Sequence, residues 1–433
     1  MLHEITLKNF KLFDEKGVTL SPGRITVFIG PNGTGKSSVL QALGIIKQSV
    51  VGSGGVLKLD GPAVFADYAD LMHHGSPATM PSIDVTGPVG PHPPFMPVGG
   101  AFSYGFLFDS YGLFSQSFFM KADGDPVIAG EVTKTHEGTV HTTPSEFRIA
   151  DDVAVRMAAS MNFGRPLSLS AVFGQADALR AREAQLSASQ WSDSIPRCLG
   201  SIYVVPALRG FERLAYPQLP NPGEEKDLAM LGSLEKRAEG AATMLLHDRS
   251  IEDKVAEWLE RVTGRVASRK GAGQYQVVLE TTSADEGRRT KKIKLVHDGF
   301  GSNQLVYVFT QMAAAGKSTT ICIDEPEIHL HPAAQARLTD VLVDIAEVED
   351  QQLILTTHSE HILMGLLTAV AKGSLASDDL RIYYFTREGD AAKMERLDVT
   401  ENGQVKGGLK GFFEAGIDEM DRYMQAQFQK LAK

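Results

Sequence analysis

Only two cysteines, Cys198 and Cys322, occur in 433 residues. That is too few for a disulfide framework, and Cys322 lies inside an apolar run, where a buried free thiol is expected rather than a disulfide or a metal ligand. No stretch approaches the roughly 18 to 20 uninterrupted apolar residues that span a bilayer. The chain opens on a strand-like pattern instead of a charged and then apolar leader. These absences point to a cytoplasmic protein in a reducing compartment, with no membrane partner. Positive charge is also in deficit: the formal net charge is -10, which argues against binding nucleic acid over the whole surface but leaves room for a local basic track. Two such groups exist, Arg261, Arg265, Arg269 and Lys270 after a helix, and Arg288, Arg289, Lys291, Lys292 and Lys294 in a hairpin. Solvated faces of surface elements look the same in sequence. No apolar heptad is sustained long enough for an extended coiled coil.

The chain does have apolar content. Hydrophobic residues make up 43% of it, enough for two or three globular units with a substantial core. Residues 4 to 10 alternate apolar and polar, and 17 to 20 and 25 to 29 are β-rich, the last running into a glycine-rich loop followed by a helix from about Lys36 to Ser49. Residues 84 to 100, crowded with proline, read as an exposed loop. Strands are expected near 101 to 108, 113 to 120 and 146 to 149. From 151 to 272 the pattern turns mainly helical, around 172 to 192, 225 to 247 and 251 to 263, the last with a capping box of Ser250 and Asp253. Within it, Ile202 to Ala207 reads as a buried strand. Strands then return: a hairpin at 275 to 296, followed by 319 to 323, 352 to 356 and 381 to 386. An amphipathic helix at about 416 to 431 closes the chain.

The loop Gly30-Pro-Asn32-Gly33-Thr34-Gly35-Lys36-Ser37-Ser38 has glycines that let successive backbone N–H groups face a phosphate at the N-terminus of the next helix. Lys36 is placed to reach β- and γ-phosphates, and the Ser37 hydroxyl to ligate Mg²⁺. Alone, the pattern also fits a glycine-rich turn; the strand before and helix after favour nucleotide binding. Far along the chain, Ile321-Cys-Ile-Asp324-Glu325-Pro326 ends an apolar strand in two acids. Asp324 suits the metal and Glu325 the attacking water, where an isolated sequence of this kind would be an ordinary strand exit. After the following strand, His358 is positioned to donate to the γ-phosphate and sense its loss. In Gly299-Phe300-Gly301-Ser302-Asn303-Gln304, Ser302 reads as the N-cap of an apolar helix, a second anion site. One phosphate tail does not need two such sites, so this one is expected to serve ATP bound to a second copy.

This ordered set resembles the ABC-type ATPases of the SMC, RecF and OLD-nuclease group. The opening Ile5 to Phe13 is similar to that group's first strand. Asp324-Glu-Pro-Glu-Ile-His-Leu-His331-Pro332 resembles its Asp-Glu box and D-loop, with His331 where many relatives carry aspartate. Gly299 to Gln304 stands at the place of the signature motif, although it departs from Leu-Ser-Gly-Gly-Gln. Tyr203 to Arg209, Thr356 to His361 and Gly407 to Phe413 resemble coil-less, OLD-like members. About 35 residues after the last hairpin are too few for the Toprim nuclease of OLD proteins.

The resemblance implies an α/β fold, an ABC-type P-loop NTPase split by an insertion. Its halves are 1–150 and 273–433, around a mainly helical, compact insertion at 151–272. It implies an ATPase with ATP and Mg²⁺ as cofactors, catalytic Glu325 and His358, and nucleotide contacts from the glycine loop, Gly301, Ser302 and His331. Two copies would sandwich two ATP molecules, with higher assembly open. The function implied is a sensor in anti-phage defence, acting with a separate effector nuclease or toxin. Alternatives are a RecF-like repair ATPase that binds DNA directly and, against the length between motifs, a transporter subunit.

Overall fold

The computed structural model describes residues 1–50, 58–61, 63–73, 80–88, 101–109, 112–122, 125–134, 140–142, 145–150, 153–160, 168–172, 199–205, 208–217, 238–271, 276–283, 292–408, 422 and 424. The chain enters through β1 (Glu4–Lys8), β2 (Val18–Leu20) and β3 (Ile25–Ile29), then the glycine loop and α1 (Lys36–Val50). Strands β4 (Ser82–Pro88), β5 (Ala101–Asp109), β6 (Gly112–Ala122), β7 (Asp125–Lys134) and β8 (Val140–Thr142) extend the β1–β2 pair into a seven-stranded sheet. A three-stranded sheet follows, from β9 (Ser145–Ala150), β10 (Val153–Ser160) and β11 (Ser168–Val172). Next come β12 (Ile202–Val205), β13 (Tyr216–Pro217), α2 (Ala238–His247), α3 (Arg249–Thr263), β14 (Arg265–Gly271), β15 (Gln276–Ser283) and β16 (Ile293–Lys294). The chain continues through α4 (Phe300–Ala315), β17 (Thr319–Asp324), α5 (Pro332–Val348), β18 (Gln351–Thr356), α6 (Glu360–Ala371), β19 (Leu380–Glu388) and β20 (Ala391–Leu397).

The element that matters for function is a six-stranded sheet in the order β12-β17-β18-β3-β19-β20, parallel except for the antiparallel β19–β20 hairpin. Every residue of β3 and β18 is buried, as expected of a parallel sheet covered on both faces. On one face Ile25, Val27, Ile321, Ile323, Leu353 and Leu355 join the main apolar core with α3 to α6; α1 packs across β12, β17 and β18. Strand β18 inserts between β3 and β17. Its rungs align Phe28, Thr356 and Asp324 at the C-terminal ends of the three strands, the end at which open parallel sheets bind ligands.

The N-terminal segment is stitched to β18 of this sheet. The buried Gln352 side chain accepts from Leu2 N at 2.8 Å and donates to Leu2 O at 2.9 Å and Gly23 O at 3.1 Å. The fold class is therefore the α/β, P-loop-type arrangement expected from sequence, interrupted by inserted segments. The inserted part differs from the expectation. Among the described residues, 151–272 holds five strands as well as helices α2 and α3. One of them, β12, forms the edge of the main sheet beside β17.

Local readings also shift. Residues 84 to 88 continue a strand, Pro88 included, since it ends β4; 89–100 lie outside the described residues. So do 173–198, including Cys198, most of the 225 to 247 helical stretch, Arg288, Arg289 and Lys291 and nearly all of the 416 to 431 helix. Helix α3 is capped by Asp248, whose side chain accepts from Ser250 N and Ile251 N. That replaces the expected Ser250 capping box. An aspartate two residues upstream reaches both amides, so the helix begins a turn's fraction earlier. Cys322 is a buried free thiol, and burial pushes its pKa up to about 12.

Candidate functional site: a phosphate loop facing an Asp-Glu strand end

The glycine loop leaves β3 through Gly30, at φ 134°. A Cβ there would stand 2.2 Å from Phe385 O of the neighbouring β19, so only glycine lets the loop turn this close to the sheet. Thr34 is buried and its hydroxyl donates to Pro31 O at 2.9 Å, pinning the loop on itself. Asn32 and Gly33 are exposed at its crest, Gly35 and Ser38 are buried at its base. Lys36 is only 6% exposed. Its ammonium donates to Gly30 O at 2.9 Å and Pro31 O at 2.8 Å, inside the curl of the loop. Burial lowers the Lys36 pKa, while Glu325 and Asp324 oppose that shift. A desolvated cation satisfied only by carbonyls is well suited to a polyanion.

At the other face of the cleft, Ser37 Oγ donates to Asp324 Oδ1 at 2.8 Å. Thr356 hydroxyl donates to the same carboxylate oxygen and accepts from Glu325 N at 3.1 Å. The rung between β17 and β18 thus fixes both acids. Glu325 has φ 47°, the left-handed region that non-glycine residues seldom occupy, and such positions concentrate where surrounding contacts enforce them. His358 Nε2 lies 3.8 Å from Glu325 Oε1. Its pKa is lowered, by burial first and by the Lys36 cation next, against Glu325 and Asp324.

Lys36, Ser37, Asp324, Glu325 and His358 are therefore brought together around one cleft. The hydrogen bonds of Lys36 and Ser37 and the His358–Glu325 pair do not involve Gly301 or Ser302. Helix α4 also starts earlier than expected, with Gly299 at its N-cap and no side-chain cap. Glycine at φ 63° takes the capping position, which leaves Ser302 in the first turn. That turn rests on the loop after Glu325, since a Cβ on Gly301 would lie 2.8 Å from Leu330 Cδ2 and 2.9 Å from His329 O. His331 caps α5, accepting from Ala333 N at 3.3 Å ahead of Pro332.

Three residues to which the sequence reading gave no role stand at this site. The Arg209 guanidinium donates at 2.6 Å to both Asp324 O and Glu325 O. Buried Glu327 accepts from Thr357 Oγ1 at 2.5 Å and from His358 N at 3.2 Å, and burial raises its pKa. Thr356 bridges the two acids, as above. Arg209 and Glu327 both sit in quoted motif segments, and the only available signal was a charge placed beside an apolar strand end. Three of the four residues in the first basic group are paired within the chain: Arg261 with Asp344, Arg265 with Asp298 at 2.6 Å, and Arg269 with Glu252 at 3.0 Å. Lys292 of the second group lies 3.7 Å from Glu280.

The Ser37 hydroxyl and the Asp324 carboxylate, joined at 2.8 Å, are hard oxygens that could hold Mg²⁺. Among the described residues no group of three or more His, Cys, Asp or Glu could hold a metal alone. Nor is any described helix long and apolar enough to cross a membrane.

Comparison with known proteins finds one family model and several solved structures to which the chain is similar. A family model described as an AAA ATPase domain matches residues 1–71 and 237–363, a little under half of the chain, and the matched parts include the glycine loop, Gly299 to Gln304, the Asp-Glu pair and His358. Among solved structures, the chain is similar to the SMC head domain from Thermotoga maritima at 14% identity and TM-score 0.42, covering 92% of this chain and 99% of that one. It is similar to an Smc head domain with an extended coiled coil from Pyrococcus furiosus, bound to the C-terminal domain of ScpA, at 13% identity and TM-score 0.48, covering 98% and 99%. An SmcHead bound to the C-winged helix domain of ScpA gives 14% identity and TM-score 0.48, covering 92% and 98%.

Proposed function

We propose that the protein is an ATP-hydrolysing, Mg²⁺-dependent switch. The observation that carries this is the 2.8 Å bond between Ser37 and Asp324, which sets the helix end of a phosphate loop against the carboxylate of an Asp-Glu strand end. Lys36 and the loop amides hold the β- and γ-phosphates. Ser37 and Asp324 would hold the metal, which would supply neutralisation of phosphate charge. Glu325 accepts a proton from the attacking water, and His358 donates toward the γ-phosphate. Residues 1–150 and 273–433 form the two halves of this unit, with β12 from the inserted part completing its edge.

Two copies sandwich two ATP molecules, each completed by Gly301 and Ser302 of the other copy, with His331 near that junction. Support comes from Ser302 standing in the first turn of α4 while the hydrogen bonds of Lys36 and Ser37 go to other residues of their own chain. The γ-phosphate then joins two chains only until it is hydrolysed, which makes the dimer nucleotide-dependent. The resemblance to coil-less, OLD-like ATPases extends the proposal to a sensor in anti-phage defence that acts with a separate effector nuclease or toxin. Direct DNA binding of RecF type is the weaker reading, because Arg261, Arg265 and Arg269 are held by their own chain's carboxylates.

The test is phosphate release from ATP with Mg²⁺ by the wild-type chain and by Lys36→Ala. Turnover in the first and none in the second is expected. Equal release by both would remove the glycine loop from the reaction.

A further inference from the structure

Arg209 lies just beyond β12, in a segment anchored at two ends. On one side its guanidinium grips two consecutive carbonyls, Asp324 O and Glu325 O, at 2.6 Å each. On the other, Phe211 N donates to Asn303 Oδ1 at 2.6 Å and Asn303 Nδ2 returns a bond to Phe211 O at 2.8 Å. Asn303 is the residue after Ser302, in the first turn of α4. Between the anchors, Gly210 has φ 120°, and a Cβ there would stand 2.7 Å from Asn303 Oδ1. The strap can pass only as glycine.

Two donors on successive carbonyls fix the orientation of both peptide planes. The residue between those planes is Glu325, held at φ 47°. Its amide is pinned from the opposite side by Thr356, through O at 3.2 Å and Oγ1 at 3.1 Å. A left-handed non-glycine residue is strained and persists only where its neighbours enforce it. Here the enforcement on the carbonyl side comes from Arg209. A lysine ammonium can reach two carbonyls, as Lys36 does with Gly30 O and Pro31 O, but its flexible stem and rotating donors do not set the angle between them as the rigid planar fork does.

We propose that Arg209 is a positioning residue for Glu325, and that the Arg209–Phe211 strap ties the Asp-Glu turn to the Ser302 turn of α4 within one chain. This rests on Glu325 acting on water in ATP hydrolysis. Misplacing a reacting group by about 1 Å costs on the order of a hundredfold in rate without touching substrate affinity. The strap would also carry any shift of the Asp-Glu turn on nucleotide loading to the surface that meets a second copy.

The experiment compares full-length wild type, Arg209→Ala, Arg209→Lys and Glu325→Gln for kcat, KM, ATP affinity and melting temperature. Arg209→Ala is expected to lose about tenfold to a hundredfold in kcat with KM and ATP affinity unchanged. Arg209→Lys, which keeps the charge and the fold, should recover only part of the loss, and millimolar guanidinium should restore kcat to Arg209→Ala but not to Glu325→Gln. Arg209→Ala within twofold of wild-type kcat, with Glu325→Gln inactive, would overturn the inference and leave the ATPase reading standing. Equal kcat in Arg209→Lys and wild type would also overturn it, since charge alone would then suffice. A wild-type chain without Mg²⁺-dependent turnover would overturn both.

Discussion

His358 Nε2 stands 3.8 Å from Glu325 Oε1, and the two reach that spacing from different strand ends, β18 and β17. Neither side chain sets the other's place alone. The histidine backbone is held by Glu327, and the glutamate backbone by Thr356 and Arg209. The pair is a junction of three fixed points.

The charge balance at this junction gives the first prediction. Burial and the Lys36 cation lower the His358 pKa, burial contributing most. In the nucleotide-free protein, an NMR titration of His358 should have its midpoint below the ordinary 6.5. Lys36→Ala, which removes one of the lowering causes, should move the midpoint upward. An unchanged midpoint would detach Lys36 electrostatically from His358. For stability the sign follows from linkage: the unfolded histidine binds its proton more tightly, so the folded state is penalised as pH falls through 6.5.

Glu327 shows the opposite shift. Its carboxyl is buried, its Oε2 atom has no hydrogen-bond partner among the described residues, and burial raises its pKa above the ordinary 4.5. A raised folded-state pKa means that stability is fully present below 4.5 and declines as pH rises through the folded value. Glu327→Gln keeps an acceptor for Thr357 and His358 while removing the charge. Its melting temperature should match wild type in acid and exceed it increasingly toward neutral pH. Glu327→Ala strands both donors and should lose about 1–3 kcal/mol. A constant offset at every pH would contradict this account.

How far the sequence announces these features depends on whether a residue's partners are local. The glycine loop, β17, β18 and α1 are readable because each carries its own signal: a run of apolar β-formers, a glycine where the backbone must pass Phe385, a helix that starts at Lys36. The expected 319–323 and 352–356 strands differ from the observed ones by one residue at an end. By contrast, β14 spells Arg265-Val-Ala-Ser-Arg-Lys-Gly, which looks like a solvated basic stretch. It is a strand because it pairs with β15 over its whole length, while Arg265 and Arg269 are neutralised by Asp298 and Glu252. Nothing local encodes those partners. Arg209 is likewise opaque in sequence, since the carbonyls it grips lie more than a hundred positions away and carry no side-chain signature.

That contrast makes Arg265 a discriminating residue. Asp298 is buried and accepts from Arg265 at 2.6 Å and from Thr281 at 2.6 Å. Arg265→Ala should therefore destabilise the fold by about 1–3 kcal/mol in denaturant titration, by leaving a buried carboxylate short of a donor. It should not change any affinity for duplex DNA. A drop in DNA affinity at unchanged stability would favour the repair-type reading.

Ser302 tests the shared site from the other side. Ser302→Arg places a bulky cation on the first turn of α4. ATP binding to the monomer should be unchanged while hydrolysis is lost. Weaker binding by the monomer would put Ser302 in its own chain's nucleotide site instead.

The most direct measurement is the mass in solution of Glu325→Gln with Mg²⁺ and either ATP or ADP. With the water-activating carboxylate removed, ATP is bound but turnover falls by about 10²–10⁴-fold. The account predicts a dimer with ATP and a monomer with ADP. The same mass with both nucleotides, or wild-type turnover in this variant, would contradict it.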